Sequence, residues 1–126
     1  MATLRTPAMA KIAIIVLADS ESHADGGRLA NALTLAQEAQ VHGDDVTVLF
    51  DGAGTTWIPK LEDDDHDMAA LYRAVEDVVE GACAFCAGAF GVGDAVEESD
   101  VASLSEYEGH PSVRSLIDDG YEVVTF

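Results

Sequence analysis

Both cysteines of the chain lie in one tetrapeptide, Cys83-Ala84-Phe85-Cys86. An apolar stretch, Val78-Val79-Glu80-Gly81-Ala82, leads into it, and a small-residue run, Ala87-Gly88-Ala89-Phe90-Gly91, follows. That context predicts a thiol pair where a buried strand hands over to a helix. In open α/β sheets the carboxyl ends of strands are where ligands gather. The C-x-x-C spacing suits thiol redox work, or supplies half of a four-ligand metal site. It also suits plain packing, because free cysteine is a small side chain that is often buried. Reactivity needs the thiolate, which a helix N-terminus favours through its free N–H groups and dipole.

Other chemistry-bearing residues are weaker candidates. Asp19 and His23 sit on the polar loop after the first strand, at the same sheet edge as the cysteines. His23 can orient a substrate or move a proton, or can simply be solvated; Asp19 can point into a cleft or serve as a loop or cap residue. No second C-x-x-C exists, and the histidines stand apart at 23, 42, 66 and 110, so the sequence assembles no metal centre and implies no cofactor. His42 suits a helix C-terminus, His66 a helix start, and His110, before Pro111, a capping or interface position. Asp51-Gly52-Ala53-Gly54 reads as a turn or phosphate-style loop, too short and generic for a nucleotide site. There is no G-x-G-x-x-G after a strand and no P-loop lysine. Trp57 suits packing or a subunit contact better than a cofactor platform.

The elements around these residues alternate in type. Lys11 to Leu17 is a continuous apolar run, typical of a strand buried on both faces of a parallel sheet. A helix is predicted over 28–41, with Leu29, Ala32, Leu33, Ala36 and Ala39 at helical spacing and Gly43 as its stop. Val46–Phe50 predicts a second strand. A helix over 66–77 follows, with Asp63-Asp64-Asp65 placed to cap it and Met68, Leu71, Tyr72 and Val75 inward. The third strand runs into the cysteines, and a short helix is expected near 86–91. Residues 101–104 predict a weak strand, Pro111 a last helix, Gly120 its end, and 121–126 a closing strand. Such alternation predicts a three-layer α/β fold with a mostly parallel sheet.

Charge is the second strong signal. Twenty-four acidic residues face six basic ones, a formal charge of −18, in a chain that is 48% hydrophobic. The hydrophobic content argues against disorder. A folded domain this acidic strains itself at low salt, whereas at molar salt the Debye length falls to about 3 Å. We read a halophilic protein. The same charge argues against direct contact with nucleic-acid backbones. No apolar run reaches the about 20 residues a membrane span needs. Residues 1–10 read as a flexible leader without a secretory h-region, ahead of one domain over 11–126, and the expected location is cytoplasmic.

The order of motifs resembles the DsrE/DsrF-like (YchN-like) sulfur-relay family. The likeness runs through the opening strand and loop, Asn31-Ala32-Leu33-Thr34-Leu35-Ala36, and Gly43-Asp44-Asp45-Val46-Thr47-Val48-Leu49-Phe50-Asp51-Gly52. It continues through Cys83-Ala84-Phe85-Cys86 with Gly91-Val92, and ends at Val123-Val124-Thr125-Phe126. The resemblance implies a flavodoxin-like three-layer fold with five strands, assembled as a homotrimer or homohexamer. It implies a cytosolic sulfur carrier that passes sulfane sulfur as a cysteine persulfide between donor and acceptor proteins. Cys83 matches the family's carrier position, and Cys86 becomes a helper or resolving thiol. Two other classes fit the same residues: a thiol–disulfide redox or sensor protein using the pair, and a non-catalytic oligomeric assembly domain.

Overall fold

A computed structural model describes residues 9–126. The strands are β1 (Lys11–Val16), β2 (Asp45–Phe50), β3 (Val79–Cys83), β4 (Ser103–Leu104) and β5 (Glu122–Thr125). They form one all-parallel sheet in the order β4-β3-β2-β1-β5. The helices are α1 (His23–His42), α2 (Trp57–Leu61), α3 (Ala69–Val75), α4 (Ala84–Ala89), α5 (Gly93–Glu98) and α6 (Val113–Asp118). The expected α/β class, the five strands and the flavodoxin-like three-layer arrangement all stand, with a sheet wholly rather than mostly parallel. Most of the leader expected over 1–10 lies outside the described residues.

Strand alternation divides the core. Ile14, Val16, Val46, Val48 and Phe50 pack with Leu29, Leu33, Ile58, Tyr72, Ala87 and Val96 from α1 to α5. Right-handed crossovers put those five helices on one face while the chain steps from β1 to β4. The chain then crosses back to place β5 beside β1, so α6 covers the opposite face, where Thr47 and Leu49 lie near Pro111, Ser112 and Leu116.

Four local expectations are corrected. Helix α1 starts at His23 rather than Arg28, because Ser22 and Asp25 form a reciprocal capping box that carries the helix through Gly26-Gly27. The acidic run 63–65 does not cap α3; it turns on itself, with Asp63 accepting from the Asp65 N–H, and the α3 N-cap is Met68. Pro111 precedes α6 rather than opening it, since Ser112 is the N-cap and accepts from the Ser115 N–H. Residues 93–98 form α5 where no helix was expected. In α2, buried Trp57 donates its indole N–H to the Ala18 carbonyl at 3.0 Å, a packing role.

Candidate functional site

The site forms where β3 ends. Cys83 is the last strand residue and the N-cap of α4, so its sulfur accepts the Cys86 backbone N–H at 3.3 Å. Cys83 is fully buried and Cys86 half-buried; both are free thiols. Within α4, Ala87 packs into the core, while Gly88 and Ala89 are exposed.

Two groups that the sequence reading left elsewhere complete the cluster. Asp51 directly follows β2, the strand beside β3, and one of its carboxylate oxygens accepts the Gly52 N–H at 2.8 Å. Gly54 holds that loop down: a Cβ there would stand 2.0 Å from the Val16 carbonyl oxygen. His110 arrives on a tight turn. Tyr107 and His110 exchange backbone hydrogen bonds of 2.8 Å, and Glu108 and Gly109 between them have φ of 51° and 82°. Positive φ at both central residues is the mark of a type I′ turn, and only one of the two is glycine. The Phe85 N–H donates to the Gly109 carbonyl at 2.9 Å, and the Phe85 ring lies 4.8 Å from the His110 imidazole. The result brings His110 Nδ1 to 3.3 Å from Cys83 Sγ. One ligand-type atom from each of Asp51, Cys83, Cys86 and His110 lies within 4.8 Å of the others.

The electrostatics are adverse to a resting thiolate. Burial pushes the Cys83 thiol up to about 12, and the Asp51 carboxylate pushes the same way, against the helpful Cys86 N–H. The dipole advantage expected at the start of α4 is thus outweighed by desolvation. Burial and the Asp51 carboxylate both favour the thiol form of Cys83, which has the Gly109 carbonyl at 3.9 Å and His110 Nδ1 at 3.3 Å as neighbours.

Asp19 and His23 stand apart from this cluster. Asp19 accepts from the Ser20 N–H at 2.7 Å and more weakly from Thr56 Oγ1 at 3.5 Å. Lys60 Nζ donates to the Ser20 carbonyl at 2.6 Å, latching this loop to α2. These bonds tie Asp19 into the loop between β1 and α1. His23 is the exposed first residue of α1. Among the described hydrogen bonds, none links either residue to the cysteines. The sequence carried two usable signals for the missed pair: an Asp at a strand end, and Glu108-Gly109 as a tight-turn dipeptide before a histidine.

The family model described as the DsrE/DsrF-like family matches residues 11–126, from the first residue of β1 through β5. The chain belongs to the DsrE/DsrF-like family. Membership of this family is consistent with a sulfur-relay role. Comparison with curated proteins and with solved structures finds no match. Among the described residues no helix is long and apolar enough to cross a membrane.

Proposed function

We propose that the chain carries sulfane sulfur as a persulfide on Cys83, with Cys86 as its helper. The observation that supports this most is the placement of a thiol at a strand-to-helix corner within 3.3 Å of a histidine nitrogen, in a DsrE/DsrF-like chain. With the imidazole proton on Nε2, Nδ1 takes the Cys83 proton as the sulfur attacks, which is general-base activation of a weak nucleophile. The thiolate attacks the outer sulfur of a donor R–S–SH. A new S–S bond forms on Cys83, the donor S–S bond breaks, and RS⁻ leaves with the proton held by His110. An acceptor thiolate takes the sulfur in the reverse sense. Cys86 resolves a stranded persulfide: its thiolate attacks Cys83 Sγ, the pair closes as a disulfide, and HS⁻ departs.

Donor and acceptor are proteins on this reading, and the chain works in the cytoplasm as a homotrimer or homohexamer. Leu17, Phe85 and Tyr107 remain exposed at the sheet edge that carries the cysteines, a surface suited to protein contact.

A test is to load the reduced chain from a sulfane donor and follow mass. The wild type gains one sulfur, Cys83→Ser gains none, and Cys86→Ser loads but discharges poorly. Normal loading of Cys83→Ser with none on Cys86→Ser reverses the two roles. No loading on either cysteine ends the relay reading. The close sulfurs also favour a second reading, thiol–disulfide exchange without sulfur transfer. A reduction potential near the cytosolic poise, with no persulfide formed, selects it.

A further inference from the structure

We propose that Asp51, Cys83, Cys86 and His110 together form a binding site for a zinc-class divalent cation. The proposal stands on the ligand set alone, whether or not the pair carries sulfur.

The chemistry of the donors comes first. Two sulfurs, one imidazole nitrogen and one carboxylate oxygen are the mix that a borderline-soft ion takes, and they are poor ligands for magnesium or calcium. The geometry is close to closure. Around tetrahedral zinc, with bonds of about 2.3 Å to sulfur and about 2.0–2.1 Å to nitrogen, sulfur and nitrogen stand about 3.6 Å apart and two sulfurs about 3.8 Å. Cys83 Sγ and His110 Nδ1 are already at 3.3 Å, and no ligand-atom pair in the set exceeds 4.8 Å.

Electrostatics points the same way. Asp51 stands beside a buried sulfur, and among the described residues no lysine or arginine pairs with it. A carboxylate next to two sulfurs without a cation is an unbalanced arrangement in a half-buried place. A divalent ion offsets most of it: two thiolates and one carboxylate carry three negative charges against its two positive ones, with the thiol protons released to solvent. The ligands are also held from behind. Gly52 N–H fixes the Asp51 carboxylate, the Cys86 N–H meets Cys83 Sγ, and Phe85 packs on the imidazole ring. Outer contacts of this kind orient ligands before the metal arrives.

The test uses the full chain, reduced and stripped with a chelator, then titrated with cobalt(II) alone and afterwards zinc(II). We expect saturation at one ion per chain, strong visible bands of tetrahedral cobalt, a near-ultraviolet thiolate-to-cobalt transition, and displacement by zinc. X-ray absorption of the zinc-loaded wild type should count two sulfur neighbours, one from each cysteine. His110→Ala and Asp51→Asn should each weaken zinc affinity by roughly 10–100-fold, since even outer-contact losses cost that much. Weak octahedral bands, half an ion per chain, fewer than two sulfur neighbours, or unchanged affinity in both variants overturns the site. The absorption measurement needs no variant, so a misfolded mutant leaves the proposal open to refutation. None of these readouts involves sulfane sulfur, so failure here and failure of sulfur loading are separate results.

Discussion

Two residues decide what the cysteine pair can do, and neither is a cysteine. On the proposed reading His110 is the base that a thiol pushed up to about 12 requires, and Asp51 raises the demand for it. Positioned general bases contribute about 10²–10⁴-fold to rate. In metal-free protein, His110→Ala should slow sulfur loading of Cys83 by about 10²-fold at neutral pH. Loading should recover as pH is raised, because hydroxide then does the work of the imidazole. Stopped-flow kinetics across pH is the measurement, and an unchanged neutral rate assigns His110 a packing role only. Cys86 is nearer the surface than Cys83, so it should alkylate first in the native protein.

At the scale of elements, three short pieces carry the site: the β2 end with its 3₁₀ turn (Gly52–Thr56), the β3–α4 corner, and the turn at 107–110. Each depends on close backbone approach. A Cβ at position 54 would drive into the Val16 carbonyl at 2.0 Å, a contact with rigid β1 backbone that cannot move aside. Gly54→Ala should therefore cost about 1–3 kcal/mol, the usual size of overpacking, and displace Asp51 with it. Chemical denaturation with matched slopes checks this, and a loss below a few tenths of a kcal/mol refutes the rigidity argument. The order of the sheet reverses between β1 and β5, yet Cys83 ends β3, two strands from β1. The site is thus built by neighbouring strand ends and a turn rather than by the crevice at the reversal.

At the scale of the whole molecule, charge sets the conditions of stability. Raising ionic strength from about 0.1 M to 1 M shortens the Debye length from about 10 Å to about 3 Å. With a net charge of −18, the melting temperature should climb through that range. A flat or falling curve in potassium chloride removes the halophilic reading. High pH acts in the opposite sense. Tyr72 is buried with its hydroxyl near Glu62, Glu76 and Asp100, and burial together with those carboxylates lifts it from 10.0 to about 12. A raised folded value means full stability below pH 10 and a loss between 10 and 12, as the unfolded chain ionises first. Tyr72→Phe keeps the edge-on packing against Phe50, at 6.3 Å, and should flatten the loss in that window. An unchanged alkaline slope in the variant would assign the loss to other groups.

The sequence alone determined the alternation of elements, the parallel character of the sheet, the buried faces of α1 and α3, and the strand-to-helix setting of Cys83 and Cys86. Those are local matters of period and composition, and the order of motifs carried the family. It left α5 unread because Gly93-Asp94-Ala95-Val96 has little apolar period, and it began α1 late because two glycines hid the capping box at Ser22 and Asp25. Only the tertiary structure decided the partners of the cysteines. Asp51 and His110 lie 32 residues before and 27 residues after Cys83 in the chain. Strand order and one turn with two positive φ angles bring them together. The same packing bonds Asp19 to the Ser20 N–H and leaves His23 exposed, because proximity at a sheet edge does not fix where a side chain finds its bonds.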